Sequence, residues 1–433
     1  MPRTSTSARA AVGAALTGAL LLSAAATASA TVTGAPAATA PTSTTAAAAA
    51  AYSKSAADLR IASTLAARVT TARFGTSFSG AVVDADSDTT VWSKNGDTAY
   101  KPASTNKLVT ASNALSLMGP NHRFTTRVRS GSASNHVIVQ GVGDPSVTSA
   151  QLDRMAATTA TWLKARKITF AKVYVDDNFF PTPTLAYGWK ESYVPDSITK
   201  VRGLVRDQRE SSDTSAEAAR YYAVRLLAHG ITTVRYHGRA NAASTSTVIT
   251  SSQGAALSTI VSRMLLNSDN EIAEALHKIV GYKLGKGTSW TGARAAQTTQ
   301  LTAQGLKATA LYDGSGLSRA DKLSAKQLTR IVDRGLDSRY RDRLWPMQSA
   351  QAMPTAGRTG TLTYRFTTAA STCAVGKVWA KTGSLNDVVS LAGFTKGSDG
   401  RVKVFAFVVN GKSSTTTLKQ NVDMLAATVT GCY

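Results

Sequence analysis

Ser104 and Lys107 stand three positions apart where a run with helical periodicity begins, so one helical turn sets a hydroxyl beside an ammonium. A lysine desolvated there next to other cations has a lowered pKa and can take the serine proton. Backbone amides at the same helix start would steady the oxyanion formed when Ser104 attacks a carbonyl. Alone the spacing says little, because composition produces a few such pairs in any chain of this length.

Two further runs carry compatible chemistry. Ser268-Asp269-Asn270 interrupts an otherwise helical stretch. It reads either as a helix cap, a place all three residue types favour, or as a relay hydroxyl on Ser268 with an amide on Asn270 to hold a substrate peptide. Lys381-Thr382-Gly383-Ser384 ends the strand-like Val378-Trp379-Ala380. Strand alternation puts Lys381 and Gly383 on one face, where the glycine admits a second backbone and Lys381, Thr382 and Ser384 can bind a carboxylate. The plain alternative is a surface lysine at a strand end.

The elements that must position these runs follow from periodicity. Apolar positions Leu59, Ile61, Leu65 and Val69 mark a first helix, and Phe78 to Asp84 with Thr90 to Ser93 a hairpin. Pro102 to Lys107 opens a second helix, stopped by Gly119-Pro120. Residues 122–253 change character, with short strands at Val137–Val139, Lys172–Val175 and Thr232–Tyr236 and helices near Ser149–Arg166 and Ala216–His229. Helices return from Ala255 to about Leu284, then strands at Lys377–Lys381, Val388–Phe394 and Val402–Val409 and a helix near Thr415–Val429. The expectation is an α+β catalytic domain from 52–121 and 254–433, an antiparallel sheet flanked by helices, with a second domain, 122–253, inserted between the first two chemical runs.

Together, in this order and on these elements, the runs form the S-x-x-K, S-x-N, K-T-G set of serine acyl transferases. With Gly141-Val142-Gly143-Asp144-Pro145-Ser146, Tyr187-Gly188-Trp189 and Asp313-Gly314-Ser315-Gly316, the sequence resembles the D-alanyl-D-alanine carboxypeptidases and endopeptidases of the class C low-molecular-mass penicillin-binding proteins, peptidase family S13. The 164 positions from Ser104 to Ser268 agree, being too many for a compact β-lactamase. The resemblance implies a β-lactamase/transpeptidase-like fold and peptidoglycan stem peptides as substrates, with β-lactams as acylating inhibitors. It implies Ser104 as nucleophile, Lys107 as base and Ser268 as proton relay. Asn270 and Thr382 would hold the peptide, Lys381 and Ser384 the carboxylate, and the amides of Ser104 and Ser384, beyond Gly383, the oxyanion. The segment after Trp189 follows the family pattern only loosely, so side-chain specificity does not transfer. No metal or organic cofactor is implied.

Composition bounds the setting. The 433 residues carry a net charge of +23, and 43% are hydrophobic, which excludes a disordered chain. Arg3 and Arg9, an apolar stretch from Ala10 to Ala26 and Ala28-Ser29-Ala30 read as a secretory signal over 1–30, in preference to a retained membrane anchor. Residues 31–51, rich in Ala and Thr, read as a disordered linker. Without Arg3 and Arg9 the exported part keeps +21, so anionic wall polymers become candidate partners, the alternative being a charge that only solubilises. Nucleic-acid motifs are missing, so no nucleic-acid partner is expected. In an exported chain the isolated pair Cys373 and Cys432 reads as a disulfide, two free thiols being the alternative. Glu274 and His277 read as a surface pair rather than metal ligands.

Two other functions compete. A class A β-lactamase needs a glutamate in an E-x-x-L-N run to activate the deacylating water, and Glu191, followed by Ser-Tyr-Val-Pro, lacks it. An inactive wall-binding protein has no physical reason to keep both lysines and both relay serines.

Overall fold

A computed structural model describes residues 54–306 and 310–433; the expected signal and linker lie outside them. The chain opens with α1 (Ala56–Thr71), β1 (Phe78–Asp84), β2 (Thr89–Lys94) and β3 (Ala99–Tyr100), and a 3-10 turn at Ala103–Asn106 runs directly into α2 (Lys107–Met118). Then come β4 (Arg123–Ser130), β5 (His136–Gln140), α3 (Ser149–Lys164), β6 (Phe170–Asp176), α4 (Thr214–Ala228), β7 (Thr233–Arg239) and β8 (Val248–Ala256). Helices α5 (Leu257–Asn267), α6 (Asn270–Lys283) and α7 (Trp290–Ala303) precede β9 (Leu323–Ser324), α8 (Ala325–Leu336) and the short α9 (Arg341–Leu344). The end is β10 (Val378–Leu385), β11 (Val388–Lys396), β12 (Val402–Asn410) and α10 (Thr416–Thr430).

An antiparallel sheet in the order β10-β11-β12-β1-β2 joins the two ends of the chain. Its inner strand β12 is apolar on both sides because both sides are covered. Val404, Ala406 and Val408 enter the core shared with α2, α5, α6 and α8, while Phe405, Phe407 and Val409 enter the core under α1 and α10. Cys373 and Cys432 are joined, tying the chain just past α10 to the turn that leads into the edge strand β10.

Strands β4 to β8 form a second sheet, order β7-β6-β5-β4-β8, in which β5, β6 and β7 run parallel with α3 and α4 as crossovers. It has its own core, built on Val137, Val139, Val173, Val175, Leu152 and Tyr222. Strands β4 and β8 and helices α7 and α8 have no counterpart in the periodicity. In β4 only Phe124, Thr126 and Val128 point inward between arginines and threonines, which is too polar a run to stand out. Among the described residues no helix is long and apolar enough to cross a membrane.

Candidate active site

Ser104 lies on the 3-10 turn ahead of α2, half-buried, while Lys107 one turn on is fully buried. Three bonds surround the Lys107 Nζ: 3.0 Å to Ser104 Oγ, 2.6 Å to Asn270 Oδ1 and 2.9 Å to the Ser315 carbonyl. Burial pushes this amine down to about 8, against the pull of Glu274, Asp313, Asp269 and Glu271. The sequence reading expected desolvation beside other cations to lower this pKa; desolvation does so, but the charges acting on Lys107 are carboxylates that oppose the shift.

Ser268 ends α5 in left-handed backbone, φ 59°, and Asp269 caps α6 by accepting from the Ile272 amide at 2.9 Å. The middle residue is the helix cap, and its neighbours Ser268 and Asn270 face the lysines. Ser268 Oγ accepts from Lys381 Nζ at 2.9 Å. The site thus contains two hydroxyl–amine pairs, Ser104 with Lys107 and Ser268 with Lys381. Lys381 is fully buried, and that burial, with the charge of Lys107, holds it well below its usual range. Asn270 is engaged at both ends, its Nδ2 donating 2.7 Å to the Ser197 carbonyl.

Strand β10 is the sheet edge that faces Ser104. A Cβ on Gly383 would stand 2.7 Å from the Pro102 carbonyl and 3.1 Å from the Ser104 amide nitrogen, so only glycine lets strand and nucleophile turn approach this closely. The Ala380 amide bonds the Pro354 carbonyl outside the sheet at 3.0 Å, and alternation turns the amides of Thr382 and Ser384 to the same free edge. Thr382 Oγ1 donates to Thr361 Oγ1 at 2.8 Å, and Ser384 is exposed. Lys381 points into the Ser268 pair and the Thr382 carbonyl, 2.8 Å away, leaving Thr382 and Ser384 as the hydroxyls nearer the open side.

Beneath the lysines lies a buried acidic layer. Glu274 accepts from the amides of Gly314 at 2.9 Å and Ser315 at 2.7 Å, which fixes the carbonyl that Lys107 uses. Asp313 receives Trp189 Nε1 and the Ser318 amide, both at 2.7 Å, and the Gly316 amide at 2.8 Å. Burial and Asp313 push Glu274 up to about 8 and Asp321 well above its usual range. The surface pair expected of Glu274 and His277 is therefore wrong: both are buried, and burial holds His277 down to about 4. Ala103, just before the nucleophile, has φ 49°, and a Cβ on Gly316 would strike its carbonyl oxygen. The nucleophile turn is thus held in a strained conformation by a neighbour that has no side chain.

A serine one turn from a desolvated lysine, a second serine on a second lysine, and free-edge amides opposite form the constellation of a penicillin-sensitive acyl transferase. The sequence matches the D-Ala-D-Ala carboxypeptidase 3 (S13) family over residues 61–200 and 193–430, together most of the chain. The chain belongs to that family.

The chain is also similar to two carboxypeptidases and to one solved structure. Carboxypeptidase DacB of Mycolicibacterium smegmatis is 29% identical over 397 residues, covering 86% of this chain and 84% of the relative. A carboxypeptidase of Mycobacterium tuberculosis is 30% identical over 365 residues, 76% of each chain. Penicillin-binding protein 4 of Haemophilus influenzae superposes with a TM-score of 0.69 at 21% identity, covering 84% of this chain and 97% of that one, a likeness of fold. The α+β, β-lactamase/transpeptidase-like architecture expected from the sequence agrees with it. Sequence reasoning missed Glu274 and Asp313 as parts of the S13 centre. One signal was available: Asn270, Glu274 and His277 fall at i, i+4 and i+7, a single stripe on α6.

Proposed function

We propose that the chain is a serine D-Ala-D-Ala carboxypeptidase or D,D-endopeptidase that acts on peptidoglycan stem peptides through an acyl-enzyme and is acylated by β-lactams. The observation that carries this reading is the contact of the buried, depressed Lys107 amine with Ser104 Oγ at 3.0 Å, at a β10 edge that presents free amides. Ser104 gives its proton to neutral Lys107 as Oγ bonds the carbonyl carbon of the penultimate D-Ala. The oxyanion forms between the amides of Ser104 and Ser384. The C–N bond then breaks, and the leaving amine takes the proton that Lys107 accepted, passed on through the Ser268 hydroxyl that Lys381 holds in place. Asn270 and Thr382 hold the peptide, with Thr382, Ser384 and the Lys381 charge on the terminal carboxylate. Water attacking the ester carbon returns the proton to Ser104 and frees the acid.

Intact-mass spectrometry after benzylpenicillin, beside Ser104→Ala, tests the nucleophile: the expected result is a one-penicillin adduct in the parent and none in the variant. Acylation of both proteins, or of neither, sinks the assignment. Release of D-Ala from a pentapeptide, set against cleavage of a cross-linked dimer, separates the two peptidase activities. Glu191 is exposed at the start of a short 3-10 turn, so a slowly hydrolysed adduct is expected rather than efficient β-lactamase turnover; rapid nitrocefin hydrolysis contradicts this. The leader-like residues 1–30 support an exported protein, and N-terminal sequencing of the extracytoplasmic fraction checks cleavage after Ala30.

A further inference from the structure

The second sheet has two unlike faces. Helices α3 and α4 pack on the face that carries Val137, Val139, Val173 and Val175. Alternation sends the intervening residues of each strand to the other side. The strand register aligns them in rows there: His136, Lys172 and Arg235 form one cross-strand row, and Arg129, Ile138 and Tyr174 form the next. The rings of His136 and Tyr174 lie tilted together at 5.1 Å and those of Tyr174 and His237 at 5.8 Å, a row of rings across three strands. Phe170 has the same parity and is 53% exposed; Arg235 and His237 are exposed as well.

Among the described residues of this face the charges open to solvent are positive. The carboxylate of Asp176, at the end of β6, is buried and bonded by Gln140 Nε2 at 3.1 Å and the Ala242 amide at 3.1 Å. The loops at its rim, 131–135 and 240–247, carry no charged residue, and the turn before β6 adds Arg166 and Lys167. Burial, and after it the charges of Lys172 and His237, hold His136 below its usual range. The exposed rings of Phe170 and His237, with half-buried Tyr174, lie among the cations of Lys172 and Arg235, which fits a polymer that alternates apolar sugar or polyol surface with anionic groups.

We propose that the face of the second sheet around Phe170, Lys172, Tyr174 and Arg235 binds an anionic, phosphodiester-linked wall polymer and so holds the enzyme on its peptidoglycan substrate. The cations neutralise phosphates, and the rings lie against the polyol or sugar between them. This rests on the wall-peptidase reading for the place where polymer and enzyme meet, and the face is separate from the Ser104 centre, so the two fail independently.

The test is co-sedimentation of the full-length exported protein with peptidoglycan sacculi bearing glycerol-phosphate teichoic acid and with the same sacculi stripped by hydrofluoric acid. Expected are at least about tenfold tighter binding to the unstripped sacculi, weakening with salt, and a loss of at least about tenfold in Lys172→Glu/Arg235→Glu. A milder loss, roughly threefold or more, is expected in Phe170→Ala, which keeps every charge. Benzylpenicillin acylation of all three proteins should be unchanged, which shows that the variants fold. Equal binding to stripped and unstripped sacculi overturns the proposal, as does parent-like binding by the charge-reversed variant. So does duplex DNA competing as well as soluble teichoic acid with Phe170→Ala silent, since that is a generic cation patch.

Discussion

Lys107 decides the chemistry at the scale of single residues. Its folded value of about 8 lies below that of a free lysine, and the competent form is the neutral one. Acylation by benzylpenicillin should therefore rise with pH and level off above about 8, a profile readable from second-order rates between pH 6 and 10. Glu274 favours the charged form of Lys107, so Glu274→Gln should move that rise to lower pH. It should also slow the plateau, because an amide cannot accept from both Gly314 and Ser315. An unshifted profile would leave Glu274 a purely structural group. Gly383→Ala tests the closeness of strand and nucleophile: the new methyl meets the Pro102 carbonyl and the Ser104 amide, and roughly a hundredfold slower acylation is expected in a protein of parent-like circular dichroism.

At the scale of elements, the joint between α1 and the sheet is a buried charge cluster. Lys403 on β12 meets Asp58 of α1 at 2.6 Å and Asp399 at 3.1 Å, with Asp84 of β1 also bonded and Arg401 shared among the same carboxylates. Lys403→Met leaves two fully buried aspartates short of a cation, and urea unfolding should show a loss of about 3 kcal/mol. A loss within error would mean that Arg401 alone neutralises them. None of this was legible in the sequence, because Asp58, Asp84 and Lys403 look like ordinary surface charges until the sheet order sets β12 beside β1. The elements of the catalytic sheet, by contrast, were legible: β11 and β12 are long apolar runs, α1 keeps an apolar stripe through Ile61, Leu65 and Val69, and α2 is bounded by Pro102 and Gly119-Pro120. The polar strands β4 and β8 were not, since β4 buries only Phe124, Thr126 and Val128 between arginines and threonines, and β8 buries only Gly254. The motif residues were readable because the three runs, each common alone, occur together in one order and on the matching elements. The acidic layer was not, because Glu274 and Asp313 become neighbours only through folding.

Across the whole molecule, the fold is closed by contacts between its ends. The Cys373–Cys432 bond, 59 positions apart, fastens the terminus to the approach of β10. Chain entropy alone credits such a loop with about 4 kcal/mol, so Cys373→Ser/Cys432→Ser should lower the urea midpoint toward that bound while the parent under reductant converges on the variant. Equal midpoints for the oxidised parent and the variant would show that the bond contributes no stability. Strand β1 lies between β2, made just after it, and β12, whose Val409 pairs with Phe78 from 331 positions further along the chain. The nucleophile turn likewise needs Gly316 and Gly383 packed against it before Ala103 can hold its strained geometry. A nascent chain that already contains Ser104 therefore carries no working centre. Activity is switched on by the arrival of the last strands, and a ribosome still holding β12 holds a peptidase that cannot yet cut.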